Sequence, residues 1–263
     1  MRELDIFCKY GEEIEKQLRL KSFPLAIKLL RKKEDIPEGA KRPKRDLGKH
    51  LSTCQAFSMS RRQGMSLAML KEDMWCFEPV IGYGFAKLPK YFLEGYNRFP
   101  GTAKTLEAGK NWAQSFPHLE YGKYIGIMSA PLMKANFEPD LIMIYCDPAQ
   151  LTQLLIVVNW IDGHDITCRL SGHAACVYSI VPVIQNRQYQ VSSLCIGDRK
   201  RAMAQDNELV FTAPTEKVED LVLGLKALAK YGNELPVKFT VMPEYELEES
   251  YTKIGKMLGM EVK

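Results

Sequence analysis

The chain has 263 residues, 46% hydrophobic and 26% charged, with a formal net charge of +4. That length is enough for one large domain or two small ones, and the composition is that of a globular protein. The mild charge argues against a broad nucleic-acid footprint, and no apolar run approaches the ~18 residues of a membrane helix.

The first residues, MRELDIFCKYGEEIEKQL, are charged throughout and contain no secretory apolar core. The expectation is a cytoplasmic protein with neither a nucleic-acid nor a membrane partner. Seven cysteines are dispersed without a dense pattern. A disulfide framework is therefore not expected, and free, metal-bound or catalytic thiols remain open.

In chain order, Leu4, Phe7, Ile14 and Leu18 mark an amphipathic helix over 3–20. Phe23-Pro24 ends it, and Leu25–Leu30 reads as a buried strand. Residues 31–46 form a polar loop with seven basic residues, either solvated or facing an anionic partner. A helix is expected over Gly48–Arg62, closed by Gly64, and then a short strand within Met65–Leu70. Trp75-Cys76-Phe77 precedes a Gly82-Tyr83-Gly84 segment that lacks the third glycine of a dinucleotide fingerprint. Residues 87–115 read as helix in two pieces, broken at Phe99-Pro100-Gly101. Tyr124–Met128 and Asp140–Cys146 are strands. Asp147 then caps a helix that has Pro148 in its first position and runs to Ile161.

The stretch 165–201 carries the sharpest chemistry. It holds Cys168, Cys176 and Cys195, with His173 inside it and His164 at its edge. Tyr189, Val191 and Ser193 alternate like a strand, and Cys195-Ile196-Gly197-Asp198-Arg199 follows where a helix can begin. Unpaired N–H groups at such a point favour a thiolate or another anion. Asp198–Ala204 is a short helix candidate, Glu208–Thr212 a strand, and Glu216–Lys230 a helix with Thr215 as its cap. A last amphipathic helix is expected over Glu244–Leu258, within a C-terminal extension at 244–260. Strands and helices alternate throughout. The expected architecture is α/β or interleaved α+β, a single compact domain over 1–263 with a mixed sheet flanked by helices.

Cys54, Cys76, Cys168, Cys176 and Cys195 all fall in loops or at element ends. Thiolates in such numbers suit an iron–sulfur cluster or a structural zinc ion, although no CxxC pair or ferredoxin spacing is present. The alternative is a set of buried cysteines with at most one reactive thiol. There is no Gly-x-Ser-x-Gly elbow, HExxH helix or P-loop, which removes the commonest hydrolase and triphosphatase readings.

Several short pieces carry a resemblance. They are Phe23-Pro24-Leu25-Ala26-Ile27-Lys28, Cys54-Gln55-Ala56 with Arg61-Arg62-Gln63-Gly64, Cys76 before its glycines, Pro139–Ile144 with Asp147-Pro148-Ala149-Gln150, Cys176, and Cys195–Arg199. In this order they resemble the domain of unknown function 169 family over about residues 20–230. The sequence departs from that pattern after Cys76, where Phe77-Glu78-Pro79 stands in place of a glycine. The resemblance implies a cytoplasmic protein of anaerobes with no established activity, and it singles out Cys54, Cys76, Cys176 and Cys195. Four thiols are the number a [4Fe–4S] cluster takes.

The expectation is a cluster-binding protein, redox or cofactor-related, with a small-molecule or redox partner. Arg199 and the backbone at Gly197 would hydrogen-bond the cluster. Two alternatives stand beside it. One is a non-redox module in which Trp75, Phe77, Tyr83 and Phe85 line a pocket and Arg199 meets an anionic ligand. The other is a thiol-dependent enzyme with Cys195 as nucleophile and His173 as its base.

Overall fold

The computed structural model describes residues 3–237 and 247–260. Six strands form one sheet: β1 (Leu25–Leu30), β2 (Leu67–Leu70), β3 (Gly126–Pro131), β4 (Leu141–Cys146), β5 (Gln190–Ser193) and β6 (Leu209–Pro214). Their spatial order is β2-β3-β1-β4-β6-β5. Where a mixed sheet was expected, all five named pairings are antiparallel. Alternation of strand and helix in sequence does not require parallel neighbours when the connections return along the opposite direction.

The helices are α1 (Glu3–Leu18), α2 (Pro43–Leu47), α3 (Thr53–Gln63), α4 (Phe77–Gly82), α5 (Lys90–Leu93), α6 (Leu106–Ser115), α7 (Pro148–Asp162), α8 (Ala175–Asn186), α9 (Ile196–Arg201), α10 (Val218–Ala229) and α11 (Glu249–Met257). Both faces of the sheet are covered, which is why β2 and β4 read as continuous apolar runs, whereas the edge strand β5 alternates. Along β4, Leu141, Met143 and Tyr145 enter one core, whereas Ile142, Ile144 and Cys146 enter the other. The second core is closed by α1, α7 and α10 through residues such as Ile14, Leu154 and Leu221. The first is closed by α3, α4, α6 and α8 through Phe57, Ile81, Phe116 and Val181.

Local chemistry sets the ends. The α3 helix starts at Thr53 rather than Gly48 because the Ser52 hydroxyl accepts from the Gln55 N–H while Gln55 Oε1 accepts from the Ser52 N–H. Gly64 closes it in the left-handed conformation, φ 73°. Asp147 caps α7 with Pro148 in the first position, as read from the sequence. Thr215 is not a cap, since its hydroxyl donates to the Pro139 carbonyl. Of the expected C-terminal helix, Glu249–Met257 is helical, and residues 244–246 lie outside the described residues.

The basic loop at 31–46 is not a free cationic surface throughout. Arg42 donates twice to the fully buried carboxylate of Asp73, at 2.8 and 2.9 Å, and once to Glu72. This fixes the loop against the turn that leads to Cys76.

A four-thiol cavity as the candidate functional site

Each of the four singled-out cysteines stands at the start of a helix. Cys54 is in the first turn of α3, Cys76 caps α4, Cys176 is in the first turn of α8, and Cys195 caps α9. All four line one cavity of about 300 Å³ on the α3–α8 side of the sheet.

The convergence is built from identifiable contacts. A bridge between Leu51 and Met74, with the Trp75 N–H donating to the Leu51 carbonyl at 3.2 Å, sets the Cys76 turn beside the start of α3. The Trp75 indole N–H donates to Gln55 Oε1 at 3.0 Å, so the residue that closes the α3 cap also holds this wall. Gly82 lets α4 meet α8, because a Cβ there would lie 2.6 Å from a Val177 methyl. The Tyr83 hydroxyl then donates to the Cys176 carbonyl at 3.0 Å. The α8 helix itself was not expected. Its start at Ala174, φ 50°, and its internal Pro182 hide it from a periodicity argument.

Two of the four thiols donate to carboxylates. Cys195 Sγ donates to Asp198 Oδ2 at 2.8 Å, and the same oxygen accepts the Cys195 N–H at 3.1 Å. Cys76 Sγ donates to Glu78 Oε2 at 3.6 Å, and Cys54 Sγ lies 3.0 Å from the Ser52 hydroxyl. Burial, and then the neighbouring carboxylate of Asp198 or Glu78, pushes Cys54 and Cys76 up to about 12 and Cys195 up to about 11. Cys176 is pushed up by burial and by the three other thiols.

This corrects the expectation of a favoured thiolate at Cys195. The helix start is present, but Asp198 occupies it, and a carboxylate beside a thiol opposes its ionisation. At pH 8 a thiol with a pKa near 11 is thiolate in only about one molecule in a thousand. Iodoacetamide at pH 8 is therefore expected to label Cys195 no faster than a free cysteine peptide. The check is peptide mass spectrometry over time, and rapid labelling of Cys195 alone would overturn this picture.

The other sequence candidates separate. Gly197 lines the cavity. Arg199 lies outside it, donating to the Gln205 carbonyl at 2.5 Å and pairing with Asp206 at 3.7 Å. Trp75 and Phe77 line it, whereas Tyr83 and Phe85 are buried in the core. His173 lines it too, with Nδ1 accepting from Arg98 at 3.2 Å, and burial beside that cation holds its pKa below the usual imidazole value. Cys168 accepts the Val191 N–H at 3.1 Å beside β5, away from the cavity. Cys8 lies in α1 and Cys146 faces the opposite core.

Sequence reasoning missed two cations on the cavity wall. Arg98 donates to Glu78 at 2.7 Å and stacks over Trp112 at 3.9 Å. Gly95, φ 85°, allows its loop to touch α6, since a Cβ there would lie 2.3 Å from the Lys110 nitrogen. Arg201 lies over the Trp75 ring at 4.7 Å. Both contacts depend on long-range folding.

Among the described residues, no group of three or more His, Cys, Asp or Glu side chains is arranged to hold a metal ion. Also among the described residues, no helix is long and apolar enough to cross a membrane.

An uncharacterised protein of Methanocaldococcus jannaschii is 27% identical over 202 residues, covering 75% of this chain and 84% of that protein. No solved structure matches. The family model that matches runs over residues 13–224, from α1 through the four cysteines into α10, so the chain belongs to the domain of unknown function 169 family, described as uncharacterised ArCR.

Proposed function

We propose that this protein binds a [4Fe–4S] cluster through Cys54, Cys76, Cys176 and Cys195 and serves redox or cofactor-related chemistry in an anaerobic cytoplasm. The observation that carries the reading is that four cysteines far apart in sequence, on four helix starts, line a single cavity. Cys8, Cys146 and Cys168 lie elsewhere.

The donor set fits the group. Four thiols lining one cavity are the donor number that a [4Fe–4S] cluster takes. Ligation displaces the thiol protons, and the bound group supplies one-electron transfer. The chain's own contribution is to gather the thiols and to offset negative charge with the first turns of α3 and α8 and the guanidinium groups of Arg98 and Arg201. Gly197 keeps its proposed place in the cavity wall, and Arg201 takes the role first given to Arg199.

The test is a visible spectrum of anaerobically purified protein, with iron and acid-labile sulfide measured on the same sample. About four of each per chain and a broad visible band are expected. Protein that stays colourless and free of iron after anaerobic reconstitution would sink the proposal.

A further inference from the structure

We infer that the same cavity also admits a small organic anion with a flat apolar body, seated between Arg201, Trp75 and Arg98 beside the thiols. The inference rests on the cluster proposal's reading of this cavity as the functional site and gives Arg98 and Arg201, which there offset charge, a ligand of their own.

The first observation is charge. Two guanidinium groups and two carboxylates face the cavity: Arg98, Arg201, Glu78 and Asp198. Arg98 is matched by Glu78 at 2.7 Å. Asp198 is engaged by the N–H and thiol of Cys195. Arg201 has no carboxylate partner among the described residues, and its contact is the face of Trp75.

The second observation is unmet hydrogen bonding. Thr53 is completely buried and forms part of the cavity wall, yet its hydroxyl has no partner among the described residues. Arg98 Nε is likewise buried and unpaired. Buried polar groups without partners are uncommon, and each calls for an explanation such as a bound water, ion or ligand.

The third is shape. Trp75, Phe77 and Ile196 are 45%, 47% and 61% exposed although all three line the cavity. Apolar walls with a few convergent polar groups are the usual make-up of a small-molecule site. A carboxylate, sulfonate or phosphate ester would meet the guanidinium groups while its ring or chain covers the aromatics. An inorganic anion would leave those aromatics exposed.

The experiment is a fluorescence titration of the full-length protein, before and after anaerobic reconstitution, with anilinonaphthalene sulfonate. The neutral N-phenylnaphthylamine, which has the same rings without the charge, is titrated alongside. Wild-type protein is expected to bind the sulfonate at one saturable site and more tightly than the neutral probe. Arg201→Gln is expected to weaken the sulfonate about tenfold, as loss of a charge-assisted contact does, while moving the neutral probe less than twofold. Arg201→Lys should recover part of the difference.

Unchanged sulfonate affinity in Arg201→Gln, or equal loss for both probes, would overturn the inference. A probe bound elsewhere, such as on the exposed apolar side chains of α11, would give the unchanged result. Iron content and probe affinity are read separately, so the cluster proposal and this one fail independently.

Discussion

Replacing any one of Cys54, Cys76, Cys176 or Cys195 by serine is expected to take the reconstituted protein from about four irons per chain to near none, whereas serine at Cys8, Cys146 or Cys168 leaves the iron content unchanged. The largest loss is expected at Cys176. It lies in the first turn of α8, and it interacts with each of the other three thiols. A serine hydroxyl there ionises far less readily than a thiol and offers a poor cluster ligand. Cys168 is the critical control, because sequence spacing alone leaves it as a fifth candidate. Its sulfur is turned to the Val191 N–H at the edge of the sheet. Iron and sulfide assays with circular dichroism of each variant decide the matter. A cluster retained in Cys176→Ser, or lost in Cys168→Ser with the fold intact, would break the assignment.

How much of this site the sequence reveals depends on how local each signal is. The strands were legible because both sheet faces are buried, so β4 appears as an unbroken apolar run ended by Asp147, and β1 as a run after Pro24 interrupted only by Lys28. Caps at Asp147 and Gly64 were legible because capping is decided within a few residues. Strand order was not, since β1 lies between β3 and β4 through pairings about a hundred residues apart. The four cysteines were legible as a set only through family resemblance. Their meeting in one cavity depends on the Leu51–Met74 bridge and the Gly82–Val177 contact, neither of which leaves a sequence period. Arg98 and Arg201 were missed because what matters about them is which ring each covers, Trp112 or Trp75.

Arg61 shows the same limit more sharply. The sequence marks Arg61-Arg62-Gln63-Gly64 as part of the family pattern but offers no role for the arginine. In the fold its side chain is 1% exposed, at the end of α3 away from Cys54. It donates to both oxygens of Glu208, at 2.7 and 3.0 Å, and lies 3.9 Å over the Tyr145 ring. Tyr145 in turn feels the charge of Asp198 and the nearby thiol of Cys54. Removing one partner of such a pair leaves the other charge buried and unmatched, which costs about 3–5 kcal/mol. Glu208→Gln is expected to lower stability by an amount toward the bottom of that range, because the amide still accepts one hydrogen bond, and Glu208→Ala toward the top. Replacing both partners by apolar residues, Arg61→Met with Glu208→Leu, is expected to recover most of the loss.

The pH dependence has a definite sign. Burial alone would raise the Glu208 pKa, but the hydrogen bonds from Arg61 and the Gln205 N–H outweigh it and hold the carboxyl below its usual value. A carboxyl held low in the folded state adds stability above the unfolded carboxylate pKa, roughly 4.3, and that contribution fades as pH falls through the lower folded value. Urea unfolding of wild type and Glu208→Gln should therefore differ most at neutral pH and converge on acidification. A gap that stayed constant down to pH 3 would mean that Glu208 is not the charged partner of Arg61.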